Sequence, residues 1–230
     1  MTQQIYEKYV DFKNYQTPVL GSKHIQQFNL DFWIPSDCSS LDTVLELGCG
    51  TGQFLNYLKH KNVKEFIGID QDPNLKEFIP KEVANNFKIQ KIEKFLKEKS
   101  WQKYFSKIVL FDVLEHFSYS EGEDLLKAIK PLLTDNGKVI LKTPNMSSPW
   151  GGQYQFGDLT HLAAYTPSSI RQLAILAGYQ IPNIHPQMSG SPIRRIADPM
   201  IHKILSKLLM TPPEIWTANF ITILEKQAST

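Results

Sequence analysis

The chain has 230 residues, of which 42% are hydrophobic and 21% are charged, and its formal net charge is +2. This length suits one domain with a substantial core, and the composition is ordinary for a globular protein. The nearly neutral charge, with lysines interleaved among acids, argues against nucleic acid as a partner. The two cysteines, Cys38 and Cys49, are too few for a disulfide framework or a zinc site.

Signals for export and for membrane insertion are not recognisable in the sequence. The first residues lack the basic-then-apolar order of a secretion signal. No apolar stretch approaches the ~20 residues that are needed to cross a bilayer. We therefore expect a cytoplasmic protein without a transmembrane segment.

Between about residues 43 and 142, short apolar runs alternate with helix-like stretches, which is the pattern of successive βα units. The predicted strands cover residues 44–47, 65–69, 87–90, 107–111 and 138–141. The predicted helices cover residues 53–59, 92–99 and 121–133, with a short one opened by Pro73. Strands joined by helices must be parallel, and a parallel sheet needs helices on both faces. The sequence therefore predicts a doubly wound α/β sheet, which binds ligands at the carboxyl ends of its strands.

The pattern changes after residue 142. Residues 143–165 are predicted to form a long loop rich in proline and glycine, and loops of this length inside a domain are usually functional or mobile. Thr166 is a good N-cap, Pro167 suits the first helical position, and the helix should end near Gly178. The remaining predicted elements are a closing strand pair at 181–185 and 220–225 and a helical segment at 200–210.

A glycine-rich turn, Glu46-Leu47-Gly48-Cys49-Gly50-Thr51-Gly52, follows the first predicted strand. Glycines let the backbone approach a ligand closely, and the helix start after them presents free N–H groups. Gln53 stands where a dinucleotide-binding fingerprint has its third glycine. Glu46 is a carboxylate at the strand end, which suits a ligand with a cationic ammonium and sulfonium and is awkward beside a pyrophosphate. The alternative is a turn that serves packing alone.

The second predicted strand ends in Gly68-Ile69-Asp70, and Asp70 lies 18 residues beyond Gly52. This spacing is close to the ~20 residues expected for an acid that accepts both ribose hydroxyls. An isolated acid at a strand end is more often a helix cap. Together with the glycine turn, however, Asp70 predicts a ribose contact.

Three segments together resemble the motifs of class I S-adenosylmethionine-dependent methyltransferases: residues 44–54, Gly68-Ile69-Asp70-Gln71-Asp72, and Phe111-Asp112-Val113-Leu114-Glu115-His116. The resemblance covers about residues 40–185 and is closest to the group of ubiquinone-biosynthesis O-methyltransferases and bacterial polysaccharide methyltransferases. It implies a Rossmann-like, doubly wound, mostly parallel seven-stranded sheet with a C-terminal antiparallel strand pair and a lid of helix and loop. It also implies S-adenosylmethionine as the methyl donor and S-adenosylhomocysteine as the product.

On this interpretation, residues 1–230 form a single methyltransferase domain. Residues 1–40 would be an N-terminal helical cap, and residues 41–142 would hold the cofactor-binding βα units. Residues 143–230 would supply the acceptor-side loop, a helix and the closing strands.

The resemblance also implies donor-binding positions. Glu46 would lie near the amino group of the donor, Asp70 would hold the ribose hydroxyls, and Gln71 would flank the adenine. After the third strand, Lys91 occupies the position where the family commonly has an acid that contacts the adenine. The adenine contact is therefore expected from Ile92 or Glu93. The complete expected cofactor-binding set is Glu46, Gly48, Cys49, Gly50, Gly52, Asp70, Gln71, Ile92, Glu93, Asp112 and Val113.

Three residues are candidates for catalysis on the acceptor side. His116 is a candidate general base because imidazole titrates near physiological pH. Asp158 and His161 are spaced so that a turn brings both into one pocket, where a carboxylate that orients the imidazole raises its basicity. The alternatives are that His116 only orients its loop and that Asp158 and His161 order a lid. No group with convincing ligand spacing predicts a metal.

The predicted function is methyl transfer by in-line displacement to a small-molecule or glycan acceptor, with a hydroxyl as the preferred acceptor group. N- or C-methylation of another metabolite, a catalytically silent S-adenosylmethionine-binding subunit and a nicotinamide-dependent oxidoreductase are the alternatives. The segment 194–210 has apolar residues at helical spacing and basic neighbours. We interpret it as an amphipathic helix packed on the domain, with a peripheral membrane contact or a homodimer face as alternatives.

Overall fold

The computed structural model describes residues 12–188 and 190–227. Seven strands form one sheet in the order β3-β2-β1-β4-β5-β7-β6. The strands are β1 Thr43–Leu47, β2 Glu65–Asp70, β3 Phe87–Ile89, β4 Phe105–Phe111, β5 Leu133–Pro144, β6 Tyr179–Pro186 and β7 Asn219–Lys226. The first five strands are parallel, whereas β7 runs antiparallel to both β5 and β6. The predicted doubly wound sheet with a C-terminal antiparallel pair is confirmed.

Helices connect these strands and cover both faces of the sheet. The α-helices are α1 Ser22–Phe28, α2 Gln53–His60, α3 Ile92–Phe95, α4 Tyr119–Ile129, α5 Gly152–Gln155, α6 Pro167–Leu176 and α7 Pro192–Leu208. A π-helical turn, Asn29–Trp33, continues α1. Both α5 and the end of β5 occupy parts of the sequence that we predicted as one long loop.

Local capping explains where α4 and α6 begin. The Ser118 hydroxyl accepts from the backbone N–H of Glu121, and the Glu121 carboxylate accepts from the backbone N–H of Ser118. This reciprocal box starts α4 at Tyr119, two residues before the predicted start. Thr166 caps α6 in the same way through Ser169, with Pro167 at the first helical position as predicted.

The core lies on both sides of the sheet, as a parallel sheet requires. Alternate residues of β1 enter different clusters: Leu45 packs with Leu126 and Ile170 of the α4 and α6 side, whereas Val44 packs with Phe54 on the α2 side. The strands are therefore fixed from both faces, and their carboxyl ends form a firm edge for a site.

The helix α7 differs from the prediction in length and in orientation. It begins eight residues earlier than predicted and includes Pro199. The interpretation that its apolar side packs on the domain is wrong, because Met200, Ile204 and Leu208 are 63%, 58% and 75% exposed. The side that faces the domain is polar, since His202 stacks on Trp216 with ring centroids 5.3 Å apart and the Trp216 Nε1–H donates to the Ser206 hydroxyl.

In residues 12–188 and 190–227, none of the helices combines the length and the hydropathy that crossing a bilayer demands.

Candidate active site

The glycine turn after β1 adopts the backbone that its residues predict. Gly48, Gly50 and Gly52 have φ angles of +72°, +51° and +76°, a left-handed region that favours glycine. A Cβ at Gly48 would lie 2.6 Å from a methyl carbon of Val113, whereas a Cβ at Gly50 would meet no atom within 4 Å. The turn therefore packs against the loop after β4 on one side and is open at Gly50. The Cys49 side chain belongs to the buried core, so only its backbone can face a ligand.

Asp70 ties the turn after β1 to the end of β2. Its carboxylate accepts backbone N–H groups from Gly50, at 3.0 Å, and from Asp72, at 3.1 Å. Burial raises the pKa of Asp70 above its ordinary value, and these two hydrogen bonds oppose the shift. The chain thus holds this carboxylate in place beside the glycine turn.

Glu46 is a buried acid at the end of β1. Its side chain is 4% exposed, and its Oε2 has no hydrogen-bond partner among the described residues. Burial, together with the charge of Asp70, raises the pKa of Glu46 well above its ordinary value. A buried carboxylate without a partner costs free energy, so this position favours a ligand that donates to it.

These groups fit the donor that the sequence predicts. The ammonium of S-adenosylmethionine would satisfy Glu46, its ribose hydroxyls suit Asp70, and the open face at Gly50 leaves the backbone free for close approach. The loop after β3 is adjacent, because the Gln90 N–H donates to the Asp70 carbonyl at 2.7 Å. Ile92 and Glu93 themselves line a separate cavity of about 420 Å³ beside α4, and Gln71 is exposed.

An ion pair joins the ends of β4 and β5. Asp112, in a left-handed conformation with φ +57°, lies 2.6 Å from the Lys142 ammonium. Burial acts to lower the pKa of Lys142, but the charge and hydrogen bond of Asp112, together with the charges of Asp31 and Glu115, outweigh it and the net shift is upward. Lys142 was missed in the sequence, although a lysine at the end of a buried apolar strand is a signal in itself.

A cavity of about 720 Å³ lies beyond this ion pair. Its walls come from the ends of β4 and β5, from the segment between β5 and α6, and from α7. Residues that line it include Lys13, Asp112, Glu115, His116, Lys142, Trp150, Tyr154, Asp158, His161, Asp198, His202 and Asn219. All three residues that we predicted as catalytic, His116, Asp158 and His161, are in this set.

The two histidines meet in the cavity wall, with ring centroids 4.7 Å apart in a T-shaped arrangement. His161 Nδ1 lies 2.9 Å from the Gln155 carbonyl oxygen. A carbonyl only accepts, so Nδ1 carries the proton and Nε2 keeps its lone pair. Burial, and then the charge of His161, lowers the pKa of His116 to about 4, so His116 is neutral at neutral pH.

Asp158 is connected to His116 through Thr160. The Thr160 hydroxyl donates to Asp158 Oδ1 at 2.5 Å and lies 2.9 Å from His116 Nδ1. Because that hydroxyl proton is already used, His116 Nδ1 is the donor in the second contact and its Nε2 also keeps a lone pair. Asp158 Oδ2 pairs with the Lys13 ammonium at 3.0 Å. The group that orients His161 is therefore the Gln155 carbonyl, where we had expected Asp158.

The same three residues have the spacing of a metal site. One ligand atom each of His116, Asp158 and His161 lies within 4.8 Å of the others. The sequence did not suggest this cluster, because its two histidines are 45 residues apart. Next to it, Glu115 is fully buried, and neither of its carboxylate oxygens has a partner among the described residues. Burial and the charge of Asp112 raise the pKa of Glu115.

Comparison with known proteins gives a family and a fold. A family model described as a methyltransferase domain matches residues 21–183. A SAM-dependent methyltransferase from Archaeoglobus fulgidus has a similar structure, with a TM-score of 0.66, 19% identity, and coverage of 97% of this chain and 99% of that one. No curated protein matches the chain in sequence.

Two further solved structures are similar. The mitomycin 7-O-methyltransferase MmcR has a TM-score of 0.63 and 11% identity, over 98% of this chain and 60% of that one. The plantazolicin methyltransferase BpumL, in complex with a triazolic desmethylPZN analog and SAH, has a TM-score of 0.59 and 18% identity, over 98% and 91%. At these identities the likeness shows a shared fold.

Proposed function

The chain belongs to the methyltransferase domain family and is an S-adenosylmethionine-dependent methyltransferase, and on that premise we propose that it methylates a hydroxyl group of a small molecule or glycan. The acceptor binds in the 720 Å³ cavity at the ends of β4 and β5. A cavity of this size is ample for a small-molecule ligand.

The observation that carries this proposal is the state of His161. The residue lines the cavity, and the Gln155 carbonyl holds its Nδ1–H at 2.9 Å, so that Nε2 is the atom able to accept a proton. A hydroxyl must lose its proton as it is methylated, and a positioned base contributes typically 10²–10⁴-fold to such a step. His116 stands beside it as the second candidate base, and Asp158 acts on His116 through Thr160.

The donor side of the proposal uses the groups around the glycine turn. S-adenosylmethionine, when bound, supplies a methyl group that is already activated on a sulfonium sulfur. The chain's own residues bind and orient: Glu46 accepts the ammonium, Asp70 accepts the ribose hydroxyls, and Gly48, Gly50 and Gly52 admit the ligand to the backbone. Orientation of two reactants in this way is worth roughly 7–11 kcal/mol of the barrier.

The positions of these groups also divide the chain into segments with different proposed roles. We assign donor binding to residues 41–142, the acceptor side to residues 143–230, and a cap to residues 1–40, of which residues 1–11 lie outside the described residues. Lys13 supports the last assignment, because it reaches the cavity and pairs with Asp158. The adenine contacts of Gln71, Ile92 and Glu93, and the methionine contacts of Asp112 and Val113, rest on the family resemblance.

The test is turnover with matched acceptors. The purified chain is incubated with S-adenosylmethionine and a panel of phenols, catechols and sugars, each paired with the corresponding amine, and S-adenosylhomocysteine is measured. We expect product with hydroxyl acceptors and none with their amines. Methylation of amines alone would replace the hydroxyl assignment, and donor binding without any turnover would identify a silent subunit.

A further inference from the structure

We propose that His116, His161 and Asp158 form a binding site for one divalent transition-metal cation in the wall of the acceptor cavity, with the buried Glu115 carboxylate beside it. The cation's use in catalysis rests on the proposed function, whereas its binding does not. The first three residues place one ligand atom each within 4.8 Å of the others, which brings them all within reach of a single ion.

The hydrogen bonds leave both imidazoles ready to coordinate. His161 donates through Nδ1 to the Gln155 carbonyl, and His116 donates through Nδ1 to the Thr160 hydroxyl, which itself donates to Asp158. Each ring therefore keeps a lone pair on Nε2. Histidines that bind metals almost always donate their other ring nitrogen to a carbonyl, a carboxylate or water, because that bond fixes the tautomer and the orientation.

Glu115 is the independent observation that points to a cation. Its side chain is fully buried, neither oxygen has a partner among the described residues, and it lines the same cavity as the two histidines. A buried carboxylate without a partner is costly unless a positive charge or a donor meets it. Its place in the sequence, directly before His116, puts this unsatisfied group beside the cluster.

The backbone holds the two halves of the cluster together. The Glu115 carbonyl accepts the N–H groups of Leu162, at 2.8 Å, and Ala163, at 3.1 Å. These bonds join the segment that carries Glu115 and His116 to the segment that carries His161. A site whose ligands sit on mutually bonded segments is preorganised, which is what metal coordination requires.

Lys13 occupies part of the position that the cation would take. Its ammonium lies 3.0 Å from Asp158 Oδ2 and supplies a positive charge to the cluster. A divalent ion must compete with this ammonium for Asp158. Removal of the lysine charge should therefore strengthen metal binding.

The ligand types select the cation. Two imidazole nitrogens with one or two carboxylates suit Mn²⁺, Fe²⁺, Co²⁺ or Zn²⁺, whereas Mg²⁺ and Ca²⁺ prefer oxygen ligands alone. A cation here would bind the acceptor's hydroxyl oxygen and lower its pKa. With the cation bound, the His161 Nε2 lone pair would be used for coordination and could not also accept the proton. The O–H bond would then break, the oxygen would keep the electron pair, and the proton would leave to water.

The experiment measures metal binding directly, on chain freed of any affinity tag and of metal by chelation. Calorimetric titration with Mn²⁺, Zn²⁺ and Mg²⁺ should give one site per chain for Mn²⁺ and Zn²⁺, each at least about tenfold tighter than Mg²⁺. His161→Ala and the isosteric Glu115→Gln should each weaken Mn²⁺ binding by about 10–100-fold. Lys13→Ala should tighten it. His202→Ala is the matched control, because His202 lines the same cavity but stacks on Trp216 and lies outside the cluster.

Pulsed electron paramagnetic resonance on the Mn²⁺-loaded chain gives a second readout. Couplings from two imidazole nitrogens are expected in the wild type, and His161→Ala should lose one. Binding of S-adenosylhomocysteine at wild-type strength verifies that each variant is folded. No binding of Mn²⁺ or Zn²⁺ at millimolar concentration, or binding unchanged in His161→Ala, would overturn the proposal. Methylation of hydroxyls by a metal-free chain would refute the catalytic use of the cation but not its binding. A bound ion without hydroxyl methylation would refute the proposed function but not the metal site.

Discussion

The proposed donor side and the proposed acceptor side of this molecule are built in different ways. The donor groups lie in consecutive strand-to-helix turns, and short backbone contacts such as the bond from the Gly50 N–H to Asp70 hold them. The acceptor cavity collects residues as far apart in the chain as Lys13, His116, Asp158 and Asn219. The first site depends on local geometry that few residues specify, whereas the second depends on tertiary packing. Substitutions on the acceptor side should therefore lower kcat, whereas substitutions on the donor side should lower the affinity for S-adenosylhomocysteine.

The largest expected effect is on the acceptor side. His161→Ala removes the proton acceptor, so kcat should fall by about 10²–10⁴-fold while the affinity for S-adenosylhomocysteine stays unchanged. Single-turnover kinetics and calorimetry measure the two quantities. His60→Ala, on α2 and away from both sites, serves as the matched control. A loss of donor affinity in His161→Ala would mean that the two sides are not separate.

The pH dependence of stability should report the burial of His116. Its pKa is lowered from 6.5 to about 4 in the folded chain. Between these two pH values the imidazole is therefore mostly protonated in the unfolded state and mostly neutral in the folded state. Stability from this group is therefore present above the unfolded pKa and is lost as the pH falls through 6.5 towards 4. We expect the free energy of unfolding to drop by roughly 1–3 kcal/mol over this interval.

Urea unfolding of the wild type and of His116→Gln at pH 7 and pH 4.5 measures this term. The variant has no imidazole to protonate, so its loss of stability on acidification should be smaller by the same amount. Identical pH profiles for the two proteins would show that His116 is not buried in the way the structure describes.

On the donor side, Gly50→Ala should weaken binding more than folding. The new Cβ meets no protein atom within 4 Å, so it projects into open space beside the glycine turn. We expect the affinity for S-adenosylhomocysteine to fall about tenfold, or about 1.4 kcal/mol, with a stability loss of about 1 kcal/mol from the positive φ. Gly21→Ala is the control, because its Cβ is also unobstructed but its φ is −94°. An unchanged affinity of Gly50→Ala for S-adenosylhomocysteine would show that the donor does not bind at this turn.

The smallest effect should come from the exposed face of α7. Ile204→Ser replaces a side chain that is 58% exposed, so the free energy of unfolding should change by no more than about 0.5 kcal/mol. Leu126→Ala, at a buried position of α4, should cost about 2–5 kcal/mol in the same urea titration. A large loss in Ile204→Ser would mean that the apolar face of α7 is covered by the chain.

The strands and the glycine turn around the proposed donor site could be predicted from the sequence because each of their signals is local. Buried parallel strands appear in the sequence as continuous apolar runs, and the positive φ angles of the turn after β1 appear as closely spaced glycines. The acceptor side was only partly predictable. Asp158 and His161 were predicted to share a pocket, but the approach of His116 to them depends on backbone bonds between Glu115 and residues 162–163.

The orientation of α7 could not be read from its own residues. Its apolar spacing predicts a helix with a buried apolar side. The polar side is buried instead, because Trp216 offers a ring to His202 and an N–H to Ser206 from a segment beyond the helix. Lys142 was missed for a related reason, since its partner Asp112 lies on the neighbouring strand end.

The place of β7 in the sheet has a consequence for biosynthesis. β7 lies between β5 and β6, so β6 has no neighbouring strand until residues 219–226 have left the ribosome. Ala218 and Asn219, at the start of that strand, also line the acceptor cavity. At about 5–20 residues per second, translation delivers the whole donor-binding segment several seconds before this last strand. A nascent chain therefore holds every residue proposed to bind the donor before the cavity proposed for the methyl acceptor can form.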